Sequence, residues 1–139
     1  MTTPERRSAA NPLAHVFDLN AHEDAPIAAF CNGLLSEALK TGCVHVQVVR
    51  ESDERTAIRF ERERTWEQEI DPPGVMHNAL VNRLKVMGNL HIDRKPEQEG
   101  RIYALYHGRE VVITIEVKRL LNGTEAVDLE LPNPRASAT

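Results

Sequence analysis

The sequence predicts a single α+β domain in which an antiparallel sheet carries two main helices packed on one face. Several segments alternate apolar and polar residues with a period of two, which is typical of half-buried strands. Two other segments space their apolar residues three and four positions apart, which is typical of amphipathic helices. The predicted order of elements is α-β-β-(β)-α-β-β-β, and the short polar turns between strands favour antiparallel neighbours.

The size and composition of the chain fit one such domain. It has 139 residues, of which 41% are hydrophobic and 27% are charged, so a single core is expected without disulfides. We expect a flexible arm over residues 1–24, the folded domain over residues 25–131 and a flexible tail over residues 132–139. The arm is expected to contain one docked apolar segment, formed by Leu13, Val16 and Phe17.

The first helix is predicted from an apolar stripe formed by Ile27, Phe30, Cys31, Leu34, Leu35 and Ala38. Asp24 is its predicted N-cap, and Gly42 stands where the helix would stop. Alternating residues then predict two strands, over residues 44–49 and 58–61, which are joined by a polar turn. Residues 66–70 are predicted as a short third strand.

The second helix is predicted over residues 73–90, with one apolar face formed by Met76, Leu80, Leu84 and Met87. A polar loop follows over residues 91–99. Three further strands are predicted from the alternation at residues 102–106, 111–117 and 127–131, with turns at His107-Gly108 and Asn122-Gly123.

Charge and hydropathy exclude several classes of function. The net charge is −4, so non-specific binding to nucleic acid is not expected. No apolar run approaches the roughly 20 residues of a membrane span, and the first residues lack the apolar core of a signal peptide, so a cytoplasmic location is expected. Cys31 and Cys43 are interpreted as buried thiols that act as small hydrophobes.

Motifs for catalysis and cofactor binding are missing from the sequence. A phosphate-binding loop needs clustered glycines followed by Lys and Ser or Thr, whereas the glycines here stand singly. The histidines are scattered and the two cysteines are not paired in sequence, so no metal site is predicted. We therefore expect no cofactor and no enzymatic activity, and in particular neither tight binding nor hydrolysis of ATP.

Six strings carry a resemblance, and they are LLSEALKTGCVHVQV, IRFERE, HNALVNRLKVMGNLHI, EGRI, HGREVVITIEV and NGTEAVDLEL. In this order they resemble the second N-terminal domain of the type II secretion and type IV pilus assembly ATPase family. The resemblance runs from about Ile27 to Leu131 and implies the fold of that sheet domain, which precedes the motor in the family. Because the sequence stops near the point where the motor would begin, we expect a stand-alone copy of the sheet domain.

The sequence departs from the family at several positions that bear on function. The Asp and His of the family string Ser-Asp-Ile-His fall on His45 and Gln47, and the family Asp-Gly falls on Glu63-Arg64. The basic loop string that precedes Pro-Gln-Asp-Gly-Arg in the family is shortened here to residues 94–98. Such drift is expected in a domain that is uncoupled from its motor.

Basic residues are the remaining candidates for a functional contact. The resemblance implies that they face a partner, or the nucleotide bound to a neighbouring motor domain; the candidates are Arg59, Arg83, Arg94, Lys95, Arg101 and Arg109. An Arg guanidinium suits phosphate or carboxylate because it is planar, always charged and able to bond in two places. The alternative for each is an ordinary solvated side chain. Arg101 is the strongest candidate, since Glu99-Gly100-Arg101 keeps the family string best.

Three functions are consistent with the sequence. The first is a non-catalytic protein-interaction module that docks on a full-length secretion or pilus ATPase, or on a related component. The alternative is a PAS-like small-ligand sensor, which the aromatic content of 4% weakens because a flat-ring ligand would have few stacking partners. The third is an enzyme of unrecognised type. A protein partner is expected, whereas its identity and the oligomeric state stay open.

Overall fold

The computed structural model describes residue 11 and residues 13–52, 54–62, 64–70, 72–92 and 97–132, without the side chains of residues 68–70. The strands in this part of the chain are β1 (Phe17–Asp18), β2 (His45–Ser52), β3 (Arg55–Arg62), β4 (Thr65–Ile70), β5 (Gln98–Tyr106), β6 (Arg109–Arg119) and β7 (Glu125–Glu130). The helices are α1 (Pro26–Lys40) and α2 (His77–Met87), and a 3-10 turn at Gly74–Met76 leads into α2.

The predicted α+β class is confirmed, and all strands join one sheet in the order β1-β5-β6-β7-β2-β3-β4. The pairings among β2 to β7 are all antiparallel, as the short turns predict. Strand β5, which follows α2, does not pair with β4, which precedes α2. Instead β7 returns to pair with β2, and this contact joins the first half of the chain to the second.

β1 is an addition to the predicted sheet, and it makes the sheet mixed because it runs parallel to β5. Phe17 lies opposite Ala104 and Asp18 opposite Leu105. The predicted docking of this segment is confirmed for Val16, which is buried, and is wrong for Leu13, whose surface is 89% exposed. A strand of two residues contains no alternation, so its sequence pattern could not reveal it.

The core fills the space between the two helices and one face of the sheet, and we call the opposite face of the sheet the open face. The strands contribute alternating residues to the core, among them Val46, Val48, Ile58, Phe60, Ile102, Ile113, Ile115, Val127 and Leu129. The helices contribute their predicted stripes, among them Cys31, Leu34, Leu35, Ala38, Leu80, Leu84 and Met87. Both cysteines are free and buried as predicted, and burial raises the pKa of Cys31 to about 12.

The ends of the helices differ in part from the prediction. The N-cap of α1 is Ala25 and makes no side-chain hydrogen bond, whereas the predicted cap, Asp24, places Oδ1 2.9 Å from Nε2 of His22. The predicted stop is confirmed, since Gly42 follows α1 with a φ of 73°. α2 ends at Met87 rather than at Leu90. Neither helix in the described ranges is long and apolar enough to cross a membrane.

A buried polar network joins α2 to β3 and β7. Lys85 on α2 is fully buried, and its Nζ donates to Glu125 Oε1 at 2.8 Å and to the Ile92 carbonyl at 3.1 Å. His77 lies in the first turn of α2, with Nε2 2.7 Å from the Glu125 carbonyl and Nδ1 3.3 Å from the Thr56 hydroxyl. A neutral His77 that donates from Nε2 and accepts at Nδ1 satisfies both contacts.

Acidification is expected to destabilise the domain through His77. Burial lowers the pKa of His77 below its ordinary value, and the charge of Arg50 acts in the same direction. The unfolded chain therefore takes up this proton at a higher pH than the folded chain. The contribution of His77 is complete above a pH of about 6.5 and is lost as the pH falls through its folded-state pKa, with a slope of at most about 1.4 kcal/mol per pH unit.

Urea unfolding at about pH 7.5 and about pH 5.5 measures this loss. The control is His77→Gln, which should be less stable than the wild type at the higher pH but should lose less stability on acidification. Equal losses in the two proteins would assign the pH dependence to other groups.

Candidate docking groove

A groove opens between the N-terminal arm, the end of α2 and the beginning of β5. Its volume is about 860 Å³. It is lined by residues 11, 13–15 and 17 of the arm, by residues 86–90 at the end of α2, and by residues 99–101 and 103 of β5. We call it the β5 groove.

The β5 groove exists because β1 is short. In the described part of the chain β1 covers β5 only at Ala104 and Leu105, so residues 98–103 of β5 form an outer edge of the sheet. α2 ends beside this edge, and its last turn closes through a hydrogen bond from the Leu90 N–H to the Lys85 carbonyl at 2.8 Å. Apolar side chains of the arm and of the α2 end, such as Phe17 and Leu90, therefore line a surface next to strand backbone.

Two glycines permit the close contact between the end of α2 and strands β5 and β6. A Cβ on Gly100 would lie 2.7 Å from the carbonyl oxygen of Gly88 and 2.8 Å from Cδ2 of Leu90. A Cβ on Gly88 would lie 2.6 Å from Cγ2 of Ile115. Such distances are shorter than side chains tolerate, so each position requires glycine. The strings that contain these glycines thus pack against one another, and this contact places Arg101 at the β5 groove.

Arg101 is exposed and lines the β5 groove. It lies opposite Thr114 of β6, and strand alternation places Glu99 and Tyr103 on the same face of β5. Arg101 can therefore offer its guanidinium to a carboxylate or phosphate that enters from outside, next to an apolar surface. The carboxylate of Glu99 lies on the same side of the strand and therefore weakens the attraction of Arg101 for an anionic group.

Arg83 contacts the β5 groove only through Phe17. Its Cζ lies 5.4 Å from the centroid of the Phe17 ring, and that ring also meets His15 edge-on at 4.6 Å. A guanidinium over an aromatic face gives a cation–π contact of about 0.5–2 kcal/mol. Arg83 therefore helps to hold Phe17, and with it β1, against α2.

The structure does not bring the other predicted basic residues to Arg101. Arg59 lies on β3, four strands or roughly 19 Å from β5, and contacts the Glu51 carboxylate. Arg109 is exposed at the start of β6, opposite Tyr106, and roughly 17 Å along the strands from Arg101. Arg94 and Lys95 lie outside the described residues, in the connection between α2 and β5.

Two features were missed from the sequence. The sequence predicts a docked arm segment but not its position beside β5, because residues 11–17 show no period. The buried Lys85 did have a signal: it follows Leu84 directly and lies four residues after Val81, so helical spacing places it on the apolar stripe. Within the described ranges, no group of three or more His, Cys, Asp or Glu side chains is arranged to hold a metal ion.

Comparison with known proteins supports the resemblance. The family described as "Type II/IV secretion system protein" matches residues 20–130. "Type II secretion system ATPase E" of Vibrio cholerae is 32% identical over 111 residues, which is 78% of this chain and 22% of that protein. "Type II secretion system protein E" of Pseudomonas aeruginosa is 30% identical over 112 residues, or 78% of this chain and 22% of that protein.

A pilus assembly ATPase is also among the proteins that this chain resembles. "Type IV pilus assembly ATPase PilB" of Myxococcus xanthus is 32% identical over 111 residues, which is 77% of this chain and 19% of that protein. The chain thus spans about a fifth of the length of these relatives, and the match lies in their N-terminal part. None of these comparisons favours a PAS-like sensor. With the match over residues 20–130, the chain belongs to the family of type II/IV secretion system proteins.

Proposed function

We propose that this domain is a non-catalytic interaction module that docks through the β5 groove on a full-length secretion or pilus ATPase, or on a related component of that machinery. The observation that carries the proposal is the position of Arg101: it lines a groove of mixed polar and apolar surface, which is formed in part by the two glycine-containing strings, EGRI and the end of HNALVNRLKVMGNLHI. The site of action is proposed to be the cytoplasm, where such ATPases would find their nucleotide.

The chemistry of the β5 groove fits a protein surface better than a small molecule. The groove combines apolar side chains such as Phe17 and Leu90 with polar side chains and the exposed guanidinium of Arg101, and an apolar anchor beside an arginine is typical of the residues that dominate protein interfaces. We propose that Arg101 pairs with a carboxylate of the partner or with a phosphate of its bound nucleotide. Arg94 and Lys95 are proposed to extend this basic rim. Arg59 and Arg109 stay outside the proposal because they lie roughly 17–19 Å away.

Charge reversal at Arg101 is expected to weaken docking. Arg101→Glu should reduce the affinity for a full-length secretion or pilus ATPase from the same organism roughly tenfold or more, mainly through slower association and an altered salt dependence if the contact is at the rim. Biolayer interferometry at low and at physiological salt measures both effects.

Arg109→Glu is the matched control, since it makes the same charge change at the other end of the β5–β6 hairpin. Equal binding of the wild type and both variants would remove the β5 groove from the interface.

The isolated domain is also expected to release no phosphate from Mg-ATP, because the sequence lacks the backbone cradle and the Lys of a phosphate-binding loop. Phosphate release by the purified domain that persists in controls for contaminating ATPases would overturn its proposed non-catalytic role.

A further inference from the structure

The far side of the sheet carries a second surface with different chemistry. β4 is the outermost strand on that side, and in the described part of the chain it pairs with β3 alone. Its outward backbone N–H and C=O groups can therefore accept a further strand. β4 lies five strands from β5, or roughly 24 Å, so this edge is separate from the β5 groove.

Trp66 stands on β4 and is the single tryptophan of the chain. It is 46% exposed, although tryptophan is a side chain that folding normally buries. Its ring stacks on His45, with the ring centroids 6.1 Å apart and the planes inclined by 25°. Nδ1 of His45 in turn lies 3.1 Å from Oε2 of Glu61. Trp66 is therefore held from one side and presents its remaining surface to solvent.

The strand register places Trp66 at the end of a row across the open face. The row runs from Arg101 on β5 and Thr114 on β6 through Glu130, His45 and Glu61 to Trp66. In the neighbouring row, Asp128 lies opposite Glu116. Glu130 and Glu61 thus flank His45, and the neighbouring row continues from Asp128 through Gln47 to Arg59. We call β4 together with Trp66, His45, Glu61 and Glu130 the Trp66 edge.

Several basic side chains near this surface pair with carboxylates of the same domain, and Lys118 Nζ lies 3.2 Å from Oε1 of Glu116. Arg59 contacts the carboxylate of Glu51. Arg62 lies on the helix side of β3, where its Nη1 is 3.1 Å from Oε2 of Glu67. Arg64 is exposed in the β3–β4 turn.

We propose that the Trp66 edge binds an extended, arginine-containing segment of a partner protein. The segment adds a strand to β4, and a guanidinium lies on Trp66 while it pairs with Glu61, the cross-strand neighbour of Trp66. Arginine fits because its planar cation stacks on an indole face and bonds carboxylates in two places. A second copy of this chain fits poorly, because pairing β4 with β4 would bring two acidic edges together.

The single tryptophan allows a direct test with the full chain. The probe is a synthetic ten-residue peptide of alternating threonine and arginine, titrated while Trp66 fluorescence is followed. Binding is expected to change the emission, to weaken with salt and to be lost when alternate peptide nitrogens are methylated, since methylation blocks strand pairing. A peptide with glutamate in place of arginine is expected not to bind.

Glu61→Gln/Glu130→Gln should weaken binding of the arginine peptide roughly tenfold. The control is Glu37→Gln, which removes one charge from the exposed side of α1 on the opposite face of the sheet, and it should bind as the wild type does. Thermal melts establish that each variant is folded.

Two results would overturn the proposal. One is equal binding of the arginine and glutamate peptides, or of the wild type and the Glu61→Gln/Glu130→Gln protein. The other is self-association in sedimentation experiments that Trp66→Ala abolishes, which would make a second copy the occupant. Arg101 lies five strands from Trp66 and Arg101→Glu keeps Trp66, His45 and Glu61, so failure here is distinguishable from failure of docking through the β5 groove.

Discussion

Glu125→Ala is expected to destabilise the domain by about 3–5 kcal/mol, which is the cost of leaving a buried charge without its partner. Lys85 is fully buried, and its Nζ lies 2.6 Å from Oε2 and 2.8 Å from Oε1 of Glu125. Without the carboxylate, the ammonium would retain only the Ile92 carbonyl among these contacts. Since the Glu125 side chain is 23% exposed, water can enter and bring the loss toward the lower end of the range.

Urea unfolding measures this loss, and Glu130→Ala at the exposed end of β7 is the control, with an expected change within about 0.5 kcal/mol. The double variant Lys85→Met/Glu125→Leu should recover most of the lost stability, because it removes both charges and fills the site with apolar atoms. A loss below about 1 kcal/mol in Glu125→Ala, or a double variant no more stable than the single one, would contradict the role assigned to the pair.

Leu84→Ala and Ile113→Ala are each expected to destabilise the domain by about 2–5 kcal/mol, because each leaves a cavity in the core. Both side chains are fully buried: Leu84 lies on the core side of α2, and Ile113 lies on β6 near the centre of the sheet. These positions also test the sequence pattern itself, since both were assigned to the core from spacing alone.

The matched control is Val86→Ala on the same helix, where the side chain is 46% exposed. Its expected change is within about 0.5 kcal/mol. Urea melts of the three variants provide the comparison. If Leu84→Ala proved as mild as Val86→Ala, the orientation of α2 on the sheet would be wrong.

The fold was predictable because most of its elements are long enough to show a period. Strands β2, β3, β5, β6 and β7 are each at least six residues long, and each contains a stretch of alternating residues, so one face of every strand could be assigned to the core. The stripe of α1 spans its whole length in the same way. β1 could not be found because two residues contain no pattern, and the missing side-chain cap at Ala25 shows that local capping is a weaker signal than packing.

The candidate site was predictable only in part. The string Glu99-Gly100-Arg101 directed attention to Arg101, which does line the β5 groove. The same reasoning also selected Arg59 and Arg109, because a string of residues contains no information on which strands end up as neighbours. Lys85 was overlooked although its spacing places it on the buried stripe, since a lysine is seldom buried unless it is paired, and its partner lies 40 residues away.

By itself, the sequence determined the α+β class, the order of all elements after β1, the inward face of each periodic strand and helix, and the family to which the chain belongs. These properties depend on local periodicity and on short strings, which the linear order of residues records directly. Tertiary structure decided the rest. The return of β7 to β2, the parallel docking of β1 on β5 and the pairing of Lys85 with Glu125 each join residues that are far apart in the chain. The β5 groove and the Trp66 edge exist only because those long-range pairings set which strands lie outermost in the sheet.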